Sequence, residues 1–251
     1  MSERIVIITG ASQGIGFAVA KKFLTKGDKA VILSTSEQKG RKSEEELKEL
    51  GEVTWLKCDV SKMKDCQAAA DFTMEKYGRI DVLVNSAGIL SKRNSFLEVD
   101  LDDIRRVLDV NVMGTIQMIS AVSKYMVKQG SGTVVNIGSI DGCMANTESV
   151  GYHASKGGVH MLTKALAREL SGYGIRVVAI APGWVNTEMV DENGAAMGAP
   201  FHMKGRIVEP EEIAGAVYLM TLEEASAING SIVMADDGYA SFKGIDGGQR
   251  L

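Results

Sequence analysis

Cysteine is scarce, long apolar runs are missing, and neither charge sign dominates. The three cysteines, Cys58, Cys66 and Cys143, form an odd set without C-x-x-C or metal-ligand spacing. That spacing argues against a disulfide framework or a metal site and predicts free thiols in a reducing compartment. No apolar run suits a membrane span or a signal-peptide core; the first, Ile5-Val-Ile-Ile8, stops at Thr9-Gly10. Acidic and basic residues are interspersed around a net charge of -4, which speaks against nucleic acid or a membrane as the main partner and leaves small polar substrates open. Internal repeats, low-complexity tracts and a credible inter-domain linker are absent too. A cytoplasmic, soluble protein is the default expectation for the chain of 251 residues, a length that α/β folds commonly build as one domain around one sheet. Residues 1–251 are expected to form a single domain.

Along the chain, short apolar segments alternate with helical patterns. Ile5 to Ile8 is continuously apolar, as in a central parallel strand covered on both faces. It leads into Thr9-Gly10-Ala-Ser12-Gln13-Gly14-Ile15-Gly16 and then into a helical pattern through Phe17, Val19, Ala20, Phe23 and Leu24. Further strands are expected at 30–33, 53–57, 81–84, 133–137, 176–181 and 228–235, with helices at 62–77, 102–128, 152–170 and 211–222. The alternation predicts an α/β fold: a Rossmann-type, doubly wound parallel sheet with helices on both faces.

Ligands of such sheets bind outside the carboxyl ends of the strands. The glycines suit an anion there. Gly10 permits the tight turn, Gly14 the close approach of a pyrophosphate and Gly16 close helix–strand packing, while free amides at the helix start favour negative charge. The Gly-x3-Gly-x-Gly spacing departs from G-x-G-x-x-G, and a glycine turn alone could be plain punctuation; its strand–turn–helix context favours a dinucleotide. Residues 188–206, rich in Gly, Ala and Met, are the least patterned segment and are expected to be a mobile substrate loop at the mouth of the site.

The segment Tyr152-His-Ala-Ser-Lys156 holds a candidate proton donor. On a helix, a separation of four puts the Tyr152 hydroxyl and the Lys156 ammonium on one face. A neighbouring cation lowers a phenol whose ordinary pKa is about 10 toward efficient proton exchange. Ser139 could offer a hydroxyl to the same reacting oxygen. Tyr and Lys fall four apart by chance in many helices, so the pair alone decides nothing. Asn111, an amide among apolar neighbours of the long helix, needs hydrogen-bond partners and could equally be a satisfied core amide.

Taken together, Thr9-Gly10-x3-Gly14-x-Gly16, Asp59, Asn85-x-Ala87-Gly88, Asn111, Ser139, Tyr152-x3-Lys156 and Pro182-Gly183-x3-Thr187 resemble a short-chain dehydrogenase/reductase. The resemblance covers almost the whole chain and lies near the ketoacyl reductase, polyol and hydroxysteroid branches. It implies an NAD(P)-dependent oxidoreductase that interconverts a ketone and a secondary alcohol of a small-molecule substrate by hydride transfer. By resemblance, Tyr152 gives or takes the proton on the substrate oxygen, Ser139 hydrogen-bonds that oxygen, Lys156 holds the nicotinamide ribose and lowers Tyr152, and Asn111 holds a water of the proton relay. The pyrophosphate is expected over Gly10, Ser12, Gln13, Gly14, Ile15 and Gly16, and the adenine at Asp59 and Val60. The ribose side falls at Asn85, Ala87 and Gly88, and the carboxamide at Pro182, Gly183, Val185 and Thr187, with no metal. The same likeness implies a pocket near Asp141, Cys143, Asn146, Trp184, Met189 and His202, although the plainer reading puts His202 on the surface. Tyr239 would lie near the substrate end, and the long helices imply a homotetramer.

Cofactor choice depends on the end of the second strand, where a carboxylate would bind both ribose hydroxyls and repel a 2′-phosphate. Ser34-Thr35-Ser36 stands there, followed by Lys39, Arg41 and Lys42; hydroxyls and cations accept a phosphate, so NADP is favoured over NAD. The basic trio could instead be a solvated helix start, and Gln13 stands where related NADP enzymes carry Arg. Two other readings remain: a non-catalytic NAD(P)-binding sensor, which needs no proton donor, and a scaffold, which binds no dinucleotide.

Overall fold

The apolar runs become strands because β-branched side chains fit a pleated surface covered on both faces. The computed structural model describes residues 3–241. Its strands are β1 (Ile5–Thr9), β2 (Lys29–Ser34), β3 (Val53–Lys57), β4 (Val82–Asn85), β5 (Gly132–Ile137), β6 (Ile175–Pro182) and β7 (Ile232–Ala235). All pair in parallel, in the order β3-β2-β1-β4-β5-β6-β7. The helices are α1 (Gly14–Thr25), α2 (Glu37–Lys48), α3 (Met63–Tyr77), α4 (Leu101–Leu108), α5 (Gly114–Gln129), α6 (Val150–Leu170), α7 (Glu192–Gly198) and α8 (Pro210–Met220).

Successive strand residues point to opposite faces, so two cores form. Val6 and Ile8 of β1 pack with Phe23, Leu24, Leu47, Ile213 and Val217 on one face. Ile7 packs with Cys66, Ala70, Met118, Val122 and Met126 on the other. The sheet grows one way from β1 through β3 and the other way from β4 through β7. This reversal leaves a crevice between the carboxyl ends of β1 and β4. Among the described residues, no helix is long and apolar enough to cross a membrane.

Three local features differ from the sequence pattern. The helix expected over 102–128 is α4 and α5 joined by a π-helical turn at Asp109–Met113, and such turns frequently mark functional sites. The last strand starts at Ile232 rather than 228. Asn229 accepts the Val177 amide through Oδ1 at 2.9 Å, and Gly230 turns the chain at a φ of +68°. Residues 188–206 are more regular than their composition suggests. Asp191 caps α7 by accepting the Gly194 amide at 2.8 Å, and a 3-10 turn follows at Ala199–Phe201. A Cβ on Gly198 would lie 2.7 Å from the Trp184 ring. The small residues of this segment let the helix lie directly on the indole.

Candidate active site

A cleft of about 1000 Å³ opens along the carboxyl edge of the sheet at the strand-order reversal. Its floor is the turn after β1, where Gly10 and Gly14 adopt φ values of +65° and +56° that favour glycine. A Cβ on Gly16 would lie 2.5 Å from the Gly10 carbonyl oxygen, so α1 seats against the strand only without a side chain there. Gln13, the residue before α1, makes no side-chain cap, and the first turn holds no acidic residue; its free amides suit an anion. Ser12, Gln13 and Ile15 line the cleft beside the three glycines. Thr9, to which the motif assigned no role, joins β1 to β4: its hydroxyl accepts the Ser86 and Ala87 amides at 3.0 and 2.9 Å. Ala87 and Gly88 then form the next stretch of wall.

Asn85 departs from expectation, because its side chain does not line the cleft. Asn85 and Asn136 are register partners on adjacent strands, and the Asn85 amide donates to Asn136 Oδ1 at 2.9 Å. Asn136 donates in turn to Thr163 Oγ1 at 3.0 Å. This buried chain ties β4, β5 and α6 together beneath the site.

Ser34, Thr35 and Ser36 line the far end of the cleft with Asp59 and Val60. Ser34 Oγ accepts the indole N–H of Trp55 at 2.9 Å, and Ser36 caps α2 by accepting the Lys39 amide at 3.3 Å. The basic trio divides. Arg41 lies over the Trp55 ring at 4.7 Å, Lys42 pairs with Glu46 at 3.8 Å, and neither lines the cleft. Lys39 does, donating to Gln13 Oε1 at 2.5 Å and to Glu188 Oε2 at 2.9 Å. Asp59 accepts the Ser61 hydroxyl at 2.7 Å and pairs with Lys62 at 3.1 Å, contacts that hold its carboxyl below the ordinary range.

On the opposite wall Ser139, Tyr152 and Lys156 come together with Pro182, Gly183, Val185 and Thr187. The turn after β5 positions Ser139, whose Oγ accepts the Asp141 amide at 3.1 Å. Lys156 is buried, donates to the Ile137 carbonyl at 2.8 Å and lies 5.6 Å from the Tyr152 ring centre. Burial pushes its ammonium down to about 8 against the opposing pull of Asp141. The expected lowering of Tyr152 is not what the protein's own groups produce. Burial raises the phenol, the Asp141 carboxylate raises it further, and a hydrogen bond with Ser139 opposes the rise. Desolvation of the anion outweighs the Ser139 hydrogen bond here.

Asn111 stands behind this wall rather than in it. At the π-helical turn, Oδ1 accepts the Ile89 amide at 2.8 Å, and Nδ2 donates to the Ile89 carbonyl and to Ser155 Oγ, both at 3.0 Å. Ser155, between Tyr152 and Lys156 in sequence, passes the restraint on by donating to the Tyr152 carbonyl at 2.7 Å. A Cβ on Gly88 would meet Asn111 Oδ1 at 3.4 Å and Lys156 Nζ at 3.7 Å.

At the substrate end, Asp141, Asn146, Trp184 and Met189 line the cleft, and His153 joins them. Cys143 and His202 do not. The Cys143 thiol lies 3.4 Å from Nδ1 of His160, an imidazole that burial pushes down to about 4. His202 is buried rather than on the surface: the turn after α7 folds it inward, with Nδ1 3.0 Å from the Gly198 carbonyl. The Tyr239 ring lies 5.2 Å from that of Phe201 and 5.5 Å from that of His202. Burial raises its phenol, opposed by a hydrogen bond with Trp184.

A glycine-floored cleft with a serine, a tyrosine and a buried lysine on one wall is suited to a dinucleotide and a proton transfer. The profile of the short chain dehydrogenase family matches residues 4–198. The chain belongs to that family. A 3-oxoacyl-[acyl-carrier-protein] reductase of Synechocystis sp. is 34% identical over 96% of this chain and 99% of its own length. A 3alpha-hydroxysteroid dehydrogenase of Mediterraneibacter gnavus is 34% identical over 94% of this chain and 96% of its own. The solved structure of a variant actinorhodin polyketide ketoreductase with NADPH superposes with a TM-score of 0.91 at 30% identity, covering 96% and 98% of the two chains. This short-chain dehydrogenase is an NAD(P)-dependent oxidoreductase acting on small molecules.

Proposed function

We propose that this short-chain dehydrogenase interconverts a ketone and a secondary alcohol with NADP in preference to NAD, using Tyr152 as proton donor and acceptor. The reading is carried by the convergence of Ser139, Tyr152 and Lys156 on one wall of the cleft, opposite the uncapped start of α1. Gly10, Ser12, Gln13, Gly14, Ile15 and Gly16 would cradle the pyrophosphate, Asp59 and Val60 the adenine, and Ala87 and Gly88 the ribose side. Pro182, Gly183, Val185 and Thr187 would hold the carboxamide. When bound, the nicotinamide supplies or takes the hydride and, in its oxidised form, brings positive charge beside the phenol.

The protein's own residues govern the proton. In reduction Tyr152, kept protonated by burial and Asp141, donates its hydrogen to the developing alkoxide. Ser139 donates to the same oxygen and stabilises the charge that forms in the transition state. In oxidation the tyrosine takes the proton back. Lys156, held by the Ile137 carbonyl, would orient the ribose, and Asn111 with Ser155 fixes the helix that carries Tyr152. A sensor has no use for such a donor. Residues 188–206 would close over the substrate, since Met189, Asn193 and Met197 line the cleft from that side.

NADP preference is supported by the absence of a carboxylate at Ser34 to Ser36, by Lys39 at the rim and by the NADPH in the related ketoreductase. Exposed Leu101, Met113, Val150 and Met161 on α4, the π-helical turn and α6 support a homotetramer assembled through this flank, which light scattering would test. Free cysteines support a cytoplasmic location. Fluorescence titration with NADPH and NADH, followed by a carbonyl and alcohol panel, tests the whole reading. NADPH is expected to bind more tightly and to support turnover. Tighter NADH binding would overturn the cofactor preference, and dinucleotide binding without turnover of any panel member would overturn the reaction.

A further inference from the structure

The Asp141 carboxylate faces the cleft without a donor. The side chain is only 22% exposed, its backbone amide is directed to Ser139 Oγ, and among the described residues no N–H or O–H donates to either carboxylate oxygen. The nearest candidate, His153 Nε2, lies 3.5 Å from Oδ1. That nitrogen already accepts the Asn146 amide at 2.9 Å, while Nδ1 donates to the Ser149 carbonyl at 2.7 Å. A backbone amide can only donate, so Nε2 is engaged as an acceptor by Asn146 and makes no hydrogen bond to Asp141. Arg93 also lines this end, but its Nε lies 4.0 Å from a Glu148 carboxylate oxygen.

A carboxylate that solvent still reaches and that has no protein donor can exchange water for a hydroxyl of the substrate. Asp141 follows Ser139 by two residues, and its amide binds the hydroxyl expected to hold the reacting oxygen. Asp141 thus lines the same end of the cleft as Ser139 and Tyr152. It is also near enough to Tyr152 and Lys156 to act on both through space. Two donor chemistries could complete it, an ammonium or a hydroxyl. Lys156 and Arg93 at the same end disfavour a second cation, whereas Ser91, Asn146 and Ser149 suit a neutral polar group.

Resting on the oxidoreductase reading, we propose that Asp141 selects substrates with a hydroxyl beside the reacting carbon, namely vicinal diols and α-hydroxyketones, by accepting that hydroxyl's hydrogen bond. The donor also screens the carboxylate from the phenol, whose deprotonation Asp141 otherwise opposes. A diol thus gains both in binding and in proton transfer, and a mono-alcohol leaves the acid unpaired.

Matched pairs test this directly: butan-2-ol against butane-2,3-diol, and cyclohexanol against cyclohexane-1,2-diol, oxidised by the wild type, Asp141→Asn and Asp141→Leu. In the wild type, kcat/KM for the diol is expected to exceed that for the mono-alcohol by about ten-fold or more, the scale of one hydrogen bond to a charged group. The ratio should shrink in Asp141→Asn and approach unity in Asp141→Leu, a change that a merely structural role would not produce because it would lower both substrates together. A wild-type enzyme that oxidises mono-alcohols as well as diols would overturn the inference while leaving the oxidoreductase reading intact, as would an Asp141→Leu variant that keeps the wild-type ratio. Absence of turnover with every alcohol and ketone would overturn both. The wild-type ratio and Asp141→Asn decide the matter should Asp141→Leu fail to fold.

Discussion

The two ends of the cleft are built from different material. At the dinucleotide end the backbone forms the surface: Gly10 and Gly14 turn at positive φ, Gly16 lets α1 close on the strand, and the start of α1 carries no cap. At the substrate end side chains form it, and Asp141, His153, Trp184 and Met189 come from three separate segments of chain. A backbone-built site tolerates almost no added atoms but asks little of its neighbours' chemistry. A side-chain-built site depends on which partner each group finds, and Asp141 finds none among the described residues.

This contrast can be broken most severely at Gly16. A Cβ there would lie 2.5 Å from the Gly10 carbonyl oxygen and 2.9 Å from the Ala11 Cα, and neither can move without shifting the turn. Gly16→Val is expected to cost about 3 kcal/mol or more of stability and to abolish dinucleotide binding, read by thermal melting and by fluorescence titration. Wild-type melting and binding in that variant would remove the close-packing account of this end. The smallest effect is expected at Lys39, a side chain 51% exposed and shared with Glu188. Lys39→Ala should weaken NADPH binding only about three- to five-fold, consistent with the worth of about 1 kcal/mol or less of an exposed charge, and should leave NADH nearly unaffected. An equal loss for both dinucleotides would assign Lys39 to the Gln13–Glu188 bridge and not to a 2′-phosphate.

The same contrast explains what could be read from residue order. Strand runs such as Ile5 to Ile8 and the glycine turn behind them are legible because conformational demands leave compositional marks. Partner choice leaves none. Asn85 follows from the motif as a ribose contact, yet register sets it opposite Asn136 and the two amides bond each other. His202 reads as a surface residue in the least patterned segment and is buried because a 3-10 turn folds it under Gly183. Arg41 looks like a phosphate ligand by proximity in sequence, but Trp55, which stands across the strand pair, claims it. The π-helical turn at Asn111 is hidden for a related reason: its apolar spacing still fits an unbroken helix. Its only trace is the amide itself, a polar group in an apolar stripe that needed partners and found them in Ile89 and Ser155.

Tyr152 joins the two ends, since it would touch both the substrate oxygen and the nicotinamide side of the cleft. The most direct measurement of its role is the turnover and NADPH affinity of Tyr152→Phe, which removes one oxygen and keeps the ring that packs beside Lys156. Loss of the proton donor predicts a fall in kcat of about a hundred-fold or more with NADPH binding changed by less than about two-fold, because the ring and the lysine remain. A Tyr152→Phe enzyme that turns over at the wild-type rate would contradict the account.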